Sequence, residues 1–261
     1  MLYATFTLWL LLALLVGAGV YRLWAGLVKP AWIGWALLPG TLVSEMAYIF
    51  GCLITGGEIR RAKILPGGGG KGKGGSDEPA TEASPRLRLI GPVAASMLSM
   101  AACAGAILAA HALLGEPVIG LFGGGAGARG ELPRALPTSS EAFWEQLAGQ
   151  VWLLRRICRA WTDLDWLDWR VPVFVYLAAC LSIRLAPVGK PVRPTIIAVV
   201  VWAALLALAA AVARRFRDCL DDLWPLLTYV WSSLLFFLAV TLLIRGVVLL
   251  VAALLGRKKA A

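Results

Sequence analysis

Residues Leu37 to Ile59 read LLPGTLVSEMAYIFGCLITGGEI and place one carboxyl group, Glu45, inside an otherwise apolar run. A charged side chain at membrane depth costs roughly 2.5 kcal/mol or more unless it is paired, protonated or beside water. The run is therefore expected to be membrane-embedded, and Glu45 is its candidate site. Pro39-Gly40 interrupts the apolar residues 31–54. Proline lacks an amide donor and clashes with the preceding turn, so the helix is expected to restart there, with Pro39 in the first turn and residues 40–55 forming a short half-helix. Glu45 then falls in the second turn, near the positive end of the helix dipole. Broken helices at this depth need protein or water around them, which favours a packed interior site over a lipid-facing one.

Composition points the same way. Charged residues make up 15% of the 261 and hydrophobic residues 60%, with a mean hydropathy of +0.78; a soluble domain carries about a quarter charged residues. The chain is expected to be an integral membrane protein. Its 25 Lys+Arg against 15 Asp+Glu, a net +10, are expected to set topology and meet anionic headgroups, with the lipid bilayer as partner and no nucleic acid. Cys52, Cys103, Cys158, Cys180 and Cys219 are odd in number, scattered and without a C-x-x-C pair. They read as small apolar fillers, not as a disulfide framework or zinc cluster. No basic segment precedes the apolar run at residues 2–21, so an uncleaved first span is expected there in place of a signal peptide.

Working outward, runs able to cross roughly 30 Å of hydrocarbon at about 1.5 Å per residue occupy residues 2–27, 31–54, 90–114, 195–213 and 223–255. A shorter sixth, 171–185, starts at Val171-Pro172 and ends at Arg184, whose stem is expected to snorkel to the interface. The last run exceeds one span and contains Arg245-Gly246, so it is expected to cross once and continue as a tilted or interfacial extension. The predicted fold is all-α and polytopic, with about six transmembrane helices, five and seven being the alternatives. The chain divides into two spans (1–55), a basic Gly-rich loop (56–89), the third span (90–114), a coil and amphipathic helix (115–170), three spans (171–255) and a basic tail (256–261).

The first connection contains PGGGGKGKGGSDEP and carries Arg60, Arg61, Lys63, Lys71, Lys73, Arg86 and Arg88. The positive-inside rule makes it cytoplasmic. With six spans, Lys190, Arg193 and the tail Arg257-Lys258-Lys259 fall on the same side, which places both termini in the cytoplasm of a plasma or inner membrane; Arg214, Arg215 and Arg217 oppose this. The second connection has five tryptophans, Trp144, Trp152, Trp161, Trp166 and Trp169, interleaved with Arg155, Arg156, Arg159, Asp163, Asp165 and Asp168. That pattern predicts a helix in the headgroup plane, where an indole has one end apolar and the other wet.

Two glycine patterns imitate phosphate loops. Gly67 to Lys73 fits G-x-x-x-x-G-K, but Gly74 stands where Ser or Thr would hold magnesium; Gly125, Gly127 and Gly130 fit G-x-G-x-x-G outside any βαβ unit. Both read as linkers. His111, the only histidine, sits near a helix end, where it either bonds a neighbour or joins Glu45 in proton transfer. Asp218, Asp221 and Asp222 beside Arg214, Arg215 and Arg217 read as a solvated network at a helix start, and metal binding there is not expected. Ser44, Tyr48, Cys52 and Thr55 lie within helical reach of Glu45. The carboxyl is expected either to be held neutral by such donors or to pair with an arginine such as Arg184 or Arg245, locking helices together.

The frame L-P-G-T-L-V-x-E, followed by a short apolar turn and L-x-T-G-G-x-I, resembles the active-site helix of the site-2-protease-like intramembrane zinc metallopeptidases. In that helix two histidines of H-E-x-x-H bind zinc and the glutamate is general base. The corresponding residues here are Ser44, Glu45, Met46, Ala47 and Tyr48. The resemblance, confined to residues 37–59, implies that Glu45 keeps its place while Ser44 and Tyr48 replace both ligands. A hydroxyl ligates zinc only after losing a proton far above pH 7. The family's later N-x-x-P-x-x-x-x-D-G motif does not occur; Asp218, Asp221 and Asp222 before Trp224-Pro225 are a loose echo. The implied protein keeps the fold without zinc hydrolysis: no catalytic residue, metal or cofactor, and a polar intramembrane site of Ser44, Glu45, Tyr48 and His111.

The expected function is a catalytically inactive metallopeptidase-like protein that binds a membrane protein or transmembrane helix beside Glu45. The alternatives are a small proton-coupled transporter component and a membrane-anchoring or assembly subunit.

Overall fold

The computed structural model describes residues 2–28, 30–62, 81–84, 90–122, 132–136, 139–185, 192–212 and 215–257. Nine α-helices occupy them: α1 (Leu2–Ala25), α2 (Pro30–Ala36), α3 (Leu38–Ile54), α4 (Ile90–Leu114), α5 (Glu116–Ile119), α6 (Ser140–Asp163), α7 (Arg170–Arg184), α8 (Val192–Val212) and α9 (Arg215–Arg257). The only strands among the described residues are β1 (Glu58–Ala62) and β2 (Thr81–Ser84), an antiparallel pair within the first connection. Nothing in the glycine-rich sequence between them signals that pairing.

Among the described residues three helices are long and apolar enough to cross a membrane: α1 over Thr5–Ala25, α4 over Ile90–Leu114, and α9 over Asp222–Val251. The expected third span coincides with α4 to the residue. Of the other three expected crossings, α3 has 17 residues and α7 has 15, hence about 25 and 22 Å of helix. The apolar part of α8 covers Arg193–Leu206. The chain breaks at Leu37, between α2 and α3, and Pro39 lies in the first turn of α3, where its missing amide is one of the unpaired ones anyway. In contrast, α9 runs 43 residues through Pro225.

The main core lies between α1, α7 and α9 and is closed by α5, α6 and the segment 132–136. Four of its tryptophans bring their polar ends to partners. Trp224 Nε1 donates to Leu132 O at 3.0 Å and Trp9 Nε1 to Pro133 O at 3.2 Å. Trp231 Nε1 donates to Gln150 Oε1 at 2.6 Å and Trp24 Nε1 to Thr241 Oγ1 at 2.7 Å. Each indole so fixed contributes apolar area without stranding a buried N–H. Beyond Thr241, every side chain of α9 through Val251 is exposed.

The α6 helix starts at Ser139, whose side chain accepts from Ala142 N at 3.2 Å, a standard N-cap bond. It buries Leu153, Ile157 and Ala160, and Trp161 packs edge-on against Phe236 of α9 at 4.7 Å. Trp144, Trp152, Trp166 and Trp169 stay exposed. Cys52, Cys103 and Cys180 are buried and Cys158 is exposed, and none of the four forms a disulfide.

Lys63, Lys71, Lys73, Arg86, Arg88, Lys190, Arg214, Lys258, Lys259 and both glycine patterns lie outside the described residues. So do the side chains of Arg60, Arg61, Arg215, Arg217, Asp218, Cys219, Asp221 and Arg257.

Candidate functional site

The Glu45 region is built where α3 packs along α4 and its first turns meet the end of α7. On α3, Gly40, Ser44, Tyr48 and Cys52 follow at four-residue spacing and are all buried; on α4, Gly91, Ala95, Ser99 and Cys103 do the same. Rows of small residues let helix backbones approach closely in a membrane. The approach is literal here: a Cβ built on Gly51 would stand 2.5 Å from Ala95 Cα, and one on Gly40 would stand 2.5 Å from Cys180 O. The pairs Gly51–Ala95 and Ser44–Ser99 make the two helices antiparallel.

Ser44 is engaged across this interface. Its Oγ lies 2.9 Å from Ser99 Oγ, and Ser99 Oγ donates to Ser44 O at 3.1 Å. Because Ser99 has one proton, the arrangement satisfying both contacts has Ser44 donating to Ser99. Glu45, one residue on, is 3% exposed. Tyr48 packs with Cys52 and Ala95 in a small cluster, within electrostatic reach of Glu45. Thr55 caps the helix end, its hydroxyl donating to Gly51 O and Cys52 O at 3.0 Å each.

Arg184 corrects the sequence expectation. It does not snorkel; it is 3% exposed, with its guanidinium 4.6 Å from the centre of the Tyr21 ring. Its Cβ would be 3.2 Å from a Cβ on Gly40, and Cys103 Sγ lies 3.8 Å from its carbonyl oxygen. Packing on an aromatic face offsets part of the desolvation of a cation. Arg184 Nε and Nη2, Thr41 Oγ1 and Ser182 Oγ are buried without a hydrogen-bond partner. Arg245, the other arginine named for pairing with Glu45, is exposed on α9.

His111 stands apart from this group. It is half-buried near the end of α4, where a Cβ on Gly115 would collide with its Nδ1. It follows Ser99 by twelve residues, about 18 Å of helical rise. Ser44, Glu45 and Tyr48 are thus brought together, and His111 is not joined to them. Ser99, Cys103 and Tyr21 belong to the same neighbourhood without being among the residues the sequence singles out, as does Arg184, which the sequence offers as a partner for Glu45. The row Gly91, Ala95, Ser99, Cys103 is the sequence signal for the α4 members; Tyr21 has none.

Zinc does not fit this donor set. Ser44 is bonded to Ser99, and Tyr48 offers only a phenol. Among the described residues no three His, Cys, Asp or Glu side chains gather in a way that could hold a metal ion.

Comparison of the chain with protein-family models, with curated proteins and with solved structures gives no match.

Proposed function

We propose that this chain is a non-catalytic multi-pass membrane protein that anchors or assembles a partner in the bilayer. Its Glu45 region acts as a polar clasp between α3, α4 and α7. The observation that carries this reading is the Ser44–Ser99 pair beside a Glu45 that is 3% exposed. A reaction chamber needs an open approach to its carboxylate, whereas here backbones close to within a missing methyl group at Gly40 and Gly51. Polar groups engaged between transmembrane helices contribute about 0.6 to 2 kcal/mol each, which suits holding helices together.

On this reading the segment 37–59 descends from a metallopeptidase-like helix, keeping Glu45 and the helix after the proline while its ligand positions serve packing. Six crossings, with α3, α7 and α8 completed by partner and lipid, place both termini and the basic loop 56–89 in the cytoplasm of a plasma or inner membrane. The proton-coupled alternative rests on Glu45 without His111, which lies apart from it along α4.

The test is affinity purification of the full-length protein from its native membrane, with metal analysis of the product. A membrane protein recovered in fixed ratio, lost from the Glu45→Gln variant, with zinc far below one ion per chain, is the expected result. Zinc at about one ion per chain, or cleavage of a transmembrane substrate that Glu45→Gln abolishes, would overturn it.

A further inference from the structure

Away from Glu45, a cleft of about 300 Å³ lies between α6 and the turn at Leu121. It is lined by Leu121, Trp152, Arg155, Arg156, Arg159, Ala160 and Asp163. Three guanidinium groups against one carboxylate leave it a formal +2. Arg156 is part of the wall: its Nη2 donates to Leu121 O at 3.1 Å and its guanidinium lies 5.2 Å from the centre of the Phe122 ring. Arg155 stacks on Trp152 at 5.6 Å, which holds a long side chain in place at low entropic cost.

We infer that this cleft binds the phosphodiester of an anionic phospholipid whose headgroup carries hydroxyls. Guanidinium groups match phosphate oxygens with paired N–H donors. A glycerol or inositol hydroxyl would donate to Asp163, an acceptor that a phosphodiester without headgroup hydroxyls, such as a choline lipid's, has no proton to meet. The lipid, as opposed to a soluble phosphate, is favoured by what adjoins the cleft. Leu147, Val151, Arg155 and Arg159 follow at four-residue spacing along one row of α6, so apolar side chains lead directly into basic ones. Leu147 and Val151 are exposed, as is Trp144 beside them, and the opposite face of α6 is the one buried at Leu153 and Ile157. A phospholipid presents the same order, acyl chain then phosphate, to a helix lying at the interface.

Purified full-length protein is tested by native mass spectrometry and by thermal unfolding with added phosphatidylglycerol, phosphatidylcholine, inorganic phosphate or glycerol phosphate. Phosphatidylglycerol should bind and raise the unfolding midpoint, and the others should do neither at matched concentration. Arg155→Gln with Arg159→Gln should weaken phosphatidylglycerol binding roughly thirtyfold, at about fivefold for each guanidinium near the surface. Arg155→Lys with Arg159→Lys should recover most of it, and Arg170→Gln outside the cleft should leave it unchanged. Equal binding of phosphatidylcholine, or undiminished phosphatidylglycerol binding by the double glutamine variant, would overturn the inference. Equal stabilisation by glycerol phosphate or inorganic phosphate would also overturn it, by making the cleft a soluble-phosphate site. Should the glutamine pair fail to fold, the wild-type lipid preference and its loss with rising salt decide the matter.

Discussion

Ser44 of α3 and Ser99 of α4 make two contacts across one helix interface, hydroxyl to hydroxyl at 2.9 Å and Ser99 hydroxyl to Ser44 carbonyl at 3.1 Å. Because Ser99 serves both, its loss strands more than the loss of Ser44 does. Ser99→Ala is expected to destabilise the protein by about 1 to 2 kcal/mol and Ser44→Ala by about 1 kcal/mol or less. The double variant should fall well short of the sum, since each change removes the same contact. Unfolding in mixed micelles, with the four proteins compared as a cycle, measures the coupling. Strict additivity would show that the two residues are independent.

Gly51 sits where a methyl group would press on Ala95 Cα at 2.5 Å, whereas Gly105 has nothing within 4 Å. Gly51→Ala is therefore expected to force α3 from α4 at a cost of about 1 to 3 kcal/mol. Gly105→Ala should be neutral or slightly stabilising, by about 0.5 to 1 kcal/mol from helix propensity. Thermal unfolding of the two variants side by side checks both signs.

The buried Arg184 stacks on Tyr21 while its Nε and Nη2 have no partner. Replacement by an apolar side chain of similar length removes an under-satisfied cation and keeps the packing. Arg184→Met is accordingly expected to be neutral or stabilising, by up to about 4 kcal/mol. Arg184→Ala leaves a void beside Gly40 and should cost about 2 to 5 kcal/mol. Denaturant midpoints distinguish them. Equal loss in both variants would mean that the guanidinium itself is held by a bound anion or water.

How much of this was legible in the chain depends on the kind of information each residue carries. Helix α4 is readable to the residue because its 25 mostly apolar residues stop just before Gly115 and its start is marked by a change of composition. The break before Pro39 is readable because proline's missing donor is a local fact. The fate of Arg184 is not local: whether an arginine at a helix end snorkels or turns inward depends on Tyr21 and Gly40, 163 and 144 positions away in the chain. Likewise the separation of His111 from Glu45 follows from the antiparallel register of α3 and α4, which no spacing within either helix states. The row of small residues on α4 was present in the sequence, but only the facing row on α3 gives it meaning. The strand pair Glu58–Ala62 with Thr81–Ser84 has neither alternation nor a hairpin signal at its ends.

The central claim is that Glu45 holds helices together and carries no proton across the membrane. The most direct measurement compares wild-type protein and Glu45→Gln in sealed vesicles under an imposed pH gradient, with unfolding recorded on the same preparations. The account predicts an identical background proton leak in both and an altered unfolding midpoint in the variant. A wild-type proton flux above empty vesicles that disappears in Glu45→Gln, with stability unchanged, would contradict it.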